Sequence, residues 1–173
     1  MMTRLSPALI RLVAAPLLGL SLAACASTEE APYVERPVET IYSEAAAAMD
    51  EERYKEAARL FDEVERQHPY SQWATRAQLM AAYAHYQALA YDDAIIALDR
   101  FIQLHPGSDD IAYAYYMKGL CYYEQITDVG RDQRITQQAL DALGEVTRRF
   151  PESPYSRDAA LKIDLTNDHL AGK

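Results

Sequence analysis

Glycine is scarce in this 173-residue chain, with six copies, and cysteine is scarcer, with two. No Gly-x-Ser-x-Gly elbow, glycine-rich phosphate loop, His-Glu-x-x-His pair or paired-cysteine motif occurs anywhere. Such patterns are what aim a nucleophile, wrap a phosphate or close a metal shell, so their absence argues against an enzyme. Positive charge is in deficit: 17 Lys and Arg face 26 Asp and Glu, a net −9. That balance disfavours a nucleic-acid partner, because phosphate binders concentrate positive charge. Alternation of β-branched and polar residues, the signature of strands, is almost missing. The apolar run at 12–22 is only eleven residues long, too short to span a bilayer as a helix.

That apolar run has a different use. Arg4 and Arg11 give it a basic start and Leu22-Ala23-Ala24-Cys25 closes it, which is the layout of a secretory signal. Leu-Ala-Ala-Cys also resembles the lipobox of bacterial lipoproteins, in which the cysteine becomes the acylated first residue. Cys25 would then carry a diacylglycerol and an N-acyl chain, and no dissociable cofactor is expected. Ala26, rather than Asp, follows the cysteine, which favours the outer membrane over retention at the inner one. Membrane attachment would be through the lipid alone. Loss of residues 1–25 leaves 15 basic and 26 acidic side chains, a net −11. It also leaves Cys121 as the one thiol, so no internal disulfide can form; its apolar helical setting marks it as a small buried hydrophobe. Residues 26–38 are polar, hold Pro32 and Pro37 and read as a tether. Thirteen extended residues reach roughly 40 Å.

From residue 39 the pattern is helical throughout, and it repeats. The stretch 91–108 opens with Tyr91-Asp92-Asp93-Ala94 and closes with His105-Pro106-Gly107-Ser108. It recurs 37 residues earlier, from Tyr54 and Ala57 to His68, Pro69 and Ser71, and 45 residues later through Ala139, Leu143, Val146, Pro151 and Ser153. A self-similarity of this length marks a helical repeat array. The predicted helices are 39–50, 54–67, 71–89, 91–104, 109–126, 134–149 and 155–170. Pro69, Pro106 and Pro151 each end a helix, and Ser71, Ser108 and Ser153 are placed to cap the next one. His68 and His105 fall in a final helical turn, where an imidazole can bind a carbonyl; being one repeat apart with no third ligand, they do not read as a metal site. The acidic pairs Glu51-Glu52 and Asp109-Asp110 read as solvated helix ends.

The hairpins resemble tetratricopeptide repeats. Their B helices carry Ala57, Phe61, Val64, then Ala94, Leu98, Phe101, then Ala139, Leu143, Val146. Their A helices place small residues in phase at Ala45, Ala82 and Gly119, where two helices must cross closely. The expected fold is all-α, a right-handed tetratricopeptide-like solenoid of about three and a half repeats, near 39–70, 71–107, 108–152 and a partial unit at 153–173. Eight additional residues, 127–134, enter the third repeat. Asp128 and Asp132 flank Gly130 there, but no glutamate completes a calcium loop, so a solvated loop with interaction candidates Asp128, Arg131 and Asp132 is the reading. The last helix, with Ala159, Leu161 and Ile163 on its apolar side, has no B helix after it. It either caps the array or is where the sequence stops before the natural protein does, and the second reading is preferred.

Thirteen tyrosines are the compositional excess. Counting from Ala82 and Gly119, the concave face of the A helices would hold Arg76, Met80, Tyr83 and Tyr86, then Tyr113, Tyr116, Met117 and Tyr123. Tyr122 falls at a packing position instead. A flat apolar ring with a polar tip suits an extended aromatic-rich peptide, and the expected site is a tyrosine-lined acidic groove. The alternative is that the rings fill the inter-helix core.

Beyond the repeat, the chain is similar to the BamD family, lipoproteins of the outer-membrane β-barrel assembly machinery. The residues that carry this are the lipobox at Cys25, Ile41-Tyr42, Arg66-Gln67-His68-Pro69-Tyr70-Ser71 and Arg100-Phe101-Ile102-Gln103-Leu104-His105-Pro106. Further on come Tyr113-Ala114-Tyr115-Tyr116, Arg131-Asp132-Gln133, Arg149-Phe150-Pro151, Tyr155 and Leu170-Ala171-Gly172-Lys173. The resemblance implies an outer-membrane-anchored scaffold on the periplasmic side. Its partners would be the POTRA region of BamA, the other lipoproteins of the machinery and unfolded outer-membrane proteins. Family members usually continue past the position of Lys173, and their BamA-docking surface lies largely in that continuation. The alternative from the residues alone is another lipoprotein repeat adaptor, such as a pilotin or a recruiter of cell-wall enzymes.

Overall fold

A computed structural model describes residues 35–126 and 133–171. Among them are seven α-helices and no strand: α1 Val38–Asp50, α2 Tyr54–Gln67, α3 Ala74–Gln87, α4 Tyr91–Leu104, α5 Ile111–Glu124, α6 Gln133–Arg149 and α7 Ser156–Ala171. The expected helices are all present, with ends displaced by up to three residues. Each helix packs against its neighbours in sequence, A helices α1, α3, α5 and α7 alternating with B helices α2, α4 and α6.

Spacing of apolar residues explains the packing. All nine stripe residues of the B helices, from Ala57 to Val146, are buried, as are Ala45, Ala82 and Gly119 on the A helices. At Gly119 the crossing is close: an added Cβ would stand 2.6 Å from Leu143 Cδ2. The core is continuous along the array because α3 and α5 each contribute to two clusters. Ala77 and Ala81 pack with Phe61, and Leu79 and Ala82 with Leu98. Tyr116 packs against the cluster that holds Leu98 on one side and against the cluster of Leu143, Val146 and Ala159 on the other.

Proline cannot continue a helix or donate to one, and after each of Pro69, Pro106 and Pro151 the chain makes the same double turn. Ser71, Ser108 and Ser153 donate their backbone N–H to the carbonyls of His68, His105 and Phe150, each at 3.0 Å. Their own carbonyls then accept from Ala74, Ile111 and Ser156, each at 3.1 Å. The serines are therefore not side-chain caps, contrary to the sequence expectation. Neither α3 nor α5 has a side-chain cap. The Ser71 and Ser153 hydroxyls are buried without a partner, and Ser108 Oγ accepts from the Asp110 N–H at 3.2 Å. Backbone, rather than hydroxyl, makes the turn.

His68 and His105 lie one residue past α2 and α4, not in the last turn, with φ of −133° and −127°. Their rings tie each hairpin shut. His68 Nε2 is 2.6 Å from the Arg36 carbonyl, and His105 Nε2 is 2.9 Å from Gln78 Oε1. Gln78 in turn donates to Glu65 at 2.7 Å, and Arg100 reaches the same carboxylate at 3.0 Å.

Within the first two hairpins the chain reverses through a left-handed residue, Glu52 (φ 58°) and Leu89 (φ 59°). Arg53 donates to Ala48 and Ala90 to His85, with Glu52 to Met49 and Leu89 to Tyr86 closing the inner bonds. These are Schellman endings, 37 residues apart and both built without glycine.

Candidate functional site

The A helices α3 and α5 bring Arg76, Met80, Tyr83 and Tyr86 into the neighbourhood of Tyr113 and Tyr116. A recess of ≈ 540 Å³ lies there, lined by Gln72, Thr75, Arg76, Leu79, Met80, Asp110, Tyr113 and Tyr155. Its floor is apolar, from Leu79, Met80 and the rings, and its rim carries one charge of each sign. The recess is thus balanced, Arg76 against Asp110, and not acidic as the net charge suggests. Arg76 is exposed and has no hydrogen-bond or ion-pair partner among the described residues.

Tyr155 closes one wall, its ring 5.3 Å from Tyr113 and stacked at 5.2 Å on Tyr116. Sequence reasoning did not place Tyr155 in the site. The signal was present: Tyr155 stands where Asp110 stands one repeat earlier, just ahead of an A helix, and Asp110 also faces the recess.

Other tyrosines of the expected set are engaged elsewhere. The Tyr116 hydroxyl donates to Asp158 at 2.5 Å, and Lys162 covers the Tyr123 ring at 5.4 Å from its centroid. Helix α7 therefore occupies both rings. Tyr86 packs edge-on against Tyr91 at 5.7 Å, inside its own hairpin. Tyr83 is half-buried, and its hydroxyl accepts from Gln87 Nε2 at 2.9 Å. Met117 is the clear correction: at 3% exposure it belongs to the core shared by α4 and α5. One residue is a 100° step around a helix, which turns Met117 inward while Tyr116 stays at the edge. Cys25, Asp128, Arg131 and Asp132 lie outside the described residues.

Electrostatically the site holds neutral rings. Burial pushes the Tyr86 and Tyr113 hydroxyls up to about 12, helped at Tyr86 by the Glu124 charge and at Tyr113 by neighbouring tyrosines. Burial and then the hydrogen bond to Asp158 raise Tyr116 as well. The same hydrogen bond, followed by that from Lys162, lowers the Asp158 carboxyl. Burial likewise moves the Cys121 thiol up to about 12, so it stays protonated and unreactive. The arrangement offers flat surfaces, hydroxyl hydrogen bonds and one unpaired cation, which is binding chemistry.

Residues 34–173 match the family model described as YfiO, outer membrane lipoprotein. Among curated proteins, the outer membrane protein assembly factor BamD of Caulobacter vibrioides is 51% identical over 164 residues, covering 93% of this chain and 54% of that protein. The protein of the same name from Rickettsia prowazekii is 43% identical over 156 residues, 90% of this chain and 62% of its own length. That of Neisseria meningitidis serogroup B is 32% identical over 170 residues, 90% of this chain and 64% of its own. The chain thus spans between about half and two thirds of these relatives.

Proposed function

The chain belongs to the YfiO family of outer membrane lipoproteins, and on that footing we propose that it is a non-catalytic scaffold for assembling and inserting β-barrel proteins in the outer membrane. The observation that carries this reading is the 51% identity to an outer membrane protein assembly factor across 93% of the chain. In this reading Cys25 holds the acyl chains and the repeats face the periplasm. The POTRA region of BamA, the companion lipoproteins and unfolded barrel proteins are the partners.

Substrate contact would use the recess between α3, α5 and the start of α7. An extended strand presents its side chains alternately to opposite sides. Every second residue could therefore enter the recess, aromatic side chains stacking on Tyr113 and Tyr155 while Met80 adapts to their shape. Arg76 and Asp110 would hold polar groups at the rim. Peptide recognition of this kind tolerates many sequences because ring stacking needs no fixed epitope.

The test is a titration of a labelled aromatic-rich strand peptide from an outer-membrane barrel protein against the wild type and against Tyr113→Ala, Met80→Ala and Arg76→Ala, three residues that line the recess. The expected outcome is a several-fold loss of affinity in each, with helix content unchanged. Wild-type affinity in all three would remove the recess from the reading. Recovery of the barrel-assembly complex with the tagged chain from detergent-solubilised outer membrane tests the scaffold role separately.

A further inference from the structure

Successive helices pack as antiparallel neighbours, so the turns between them fall on two edges. The junction turns, where one hairpin passes to the next, share an edge: Gln72, Asp110 and Tyr155, one from each, line the same recess. The entry to α1 is fastened to that edge too. Arg36 donates its backbone N–H to Gln67 Oε1 at 2.8 Å, and its carbonyl accepts from His68 Nε2 at 2.6 Å. Glu35 stands 4.0 Å from Nδ1 of the same ring. The hairpin turns at 51–53 and 88–90 lie on the opposite edge.

The two edges differ in surface. Tyr70, in the first junction turn, is 100% exposed, and Leu104 at the end of α4 is 58% exposed. Arg76 and Arg157, in the first turns of α3 and α7, are exposed and have no hydrogen-bond or ion-pair partner among the described residues. A cation there opposes the helix dipole, so neither arginine serves its own helix. Exposed carboxylates, Asp109, Asp110 and Glu152 among them, give this edge both signs of charge. The hairpin edge exposes Leu89, but amid carboxylates: Asp50, Glu51, Glu52, Asp92 and Asp93 outnumber Arg53 and Lys55.

We propose that the junction edge rests on the headgroup layer of a phospholipid bilayer, so that the chain meets the membrane through its repeats as well as through the lipid. This rests on Cys25 holding the acyl chains. Nine residues, 26–34, separate Cys25 from Glu35, and fully extended they reach about 30 Å. The chain leaving them is held by Gln67 and His68 on the junction edge, which keeps that edge within reach of the bilayer. A tyrosine, apolar in its ring and polar at its tip, suits the interface between headgroup and acyl chain. Leu104 adds apolar area beside it, and Arg76 and Arg157 can meet lipid phosphates. An anionic bilayer repels the carboxylates of the opposite edge. The peptide recess opens on the same junction edge, next to the surface that a captured strand has to enter.

To test this, the chain from Cys25 to Lys173, which keeps every described residue, is coupled through the Cys25 thiol to a maleimide phospholipid. The bilayer is a nanodisc of phosphatidylethanolamine and phosphatidylglycerol that carries a gadolinium-chelate lipid. Cys121, buried and protonated, stays out of the coupling. Methyl NMR then compares two exposed leucines, Leu104 on one edge and Leu89 on the other. The expected result is a several-fold greater signal loss at Leu104, reduced to near-equal loss in Tyr70→Asp with Arg157→Ala. Both substitutions are at exposed positions, and circular dichroism should not change. Equal loss at the two leucines of the unsubstituted chain, or greater loss at Leu89, overturns the proposal. So does a preference that survives the double substitution, because the linker alone would then hold the edge near the bilayer. The anchor here is supplied chemically, so a native protein whose mass shows Cys25 unacylated fails the anchor reading and leaves the NMR comparison to decide the edge.

Discussion

The second and third repeats meet the same packing problem with different chemistry. Both hairpins end in proline and the same double turn, yet the residue before the proline is His105 in one and Phe150 in the other. His105 pairs with Gln78, and the ring of Phe150 stands 5.4 Å from that of Tyr115, at the position equivalent to Gln78. The polar version extends into a chain, His105 to Gln78 to Glu65 to Arg100. Its directions are fixed: an ionised Glu65 can only accept, so Gln78 shows it the amide nitrogen, turns its oxygen to His105, and His105 must donate from Nε2. The aromatic version is closed by Arg149, which lies 5.2 Å above the Tyr115 ring and donates to its hydroxyl at 2.9 Å. A shared backbone turn positions the pair, and the pair itself is free to be a hydrogen bond or a ring contact. What the array repeats is backbone geometry and residue size, rather than side-chain chemistry.

That view can be broken at the helix crossing. Leu143→Ala should destabilise by about 2–5 kcal/mol through a buried cavity, and Leu98→Ala by a similar amount, since both leucines are fully buried; chemical denaturation measures both. A large difference between them would show that the repeats are not equivalent. Gly119→Ala should cost about 1–3 kcal/mol, because Leu143 already fills the space of the new methyl. In the Leu143→Ala background the same change should cost nothing or stabilise, as alanine favours a helix over glycine. Additive effects would mean that Leu143 is not the obstacle.

The polar clamp gives the next effect. Gln78→Ala removes a partner from both Glu65 and His105, and about 1–2 kcal/mol should be lost. Loss within error of zero would show that the clamp is idle and that only shape matters at that position. Tyr116→Phe tests the groove tyrosine held by α7. A depressed carboxylate stabilises the fold above its unfolded value and loses that stabilisation as pH falls through the folded one. Without the Tyr116 hydroxyl the Asp158 carboxyl should move upward toward its ordinary range, leaving Lys162 as its donor. Acid sensitivity should then weaken at low pH, and carbon-detected NMR titration of Asp158 reads the shift. The smallest effect is at the left-handed turn of the second repeat. Leu89→Gly relieves a left-handed leucine and should gain about 0.5 kcal/mol, the strain released less the added chain entropy.

The sequence made the fold legible because size and period suffice for it. Nine stripe residues, three small positions and three prolines in one register define hairpins whose mutual packing follows. Helix ends were less legible, since Ser71 and Ser153 carry the residue type of a cap while their backbones make the turn. The site was legible in part. Counting outward from Ala82 and Gly119 reached Arg76, Met80 and Tyr113, which do line the recess. It could not separate Tyr116 from Met117, one step apart on a helix squeezed from two sides. Nor could it tell that α7 would occupy Tyr116 and Tyr123, a fact of tertiary packing that no single-helix pattern contains. Tyr155 escaped, as Asp110 did, because both stand in the turn ahead of an A helix, outside the helical positions counted from Ala82 and Gly119.

Because α3 and α5 each take part in two clusters, coupling among the described helices runs between adjoining repeats. Such an array melts by fraying, each unit holding the next, in the manner of a one-dimensional chain of linked spins. In the 173-residue chain as it stands, amide hydrogens of α3 and α4 should exchange more slowly than those of α7, which joins one cluster alone among the described helices.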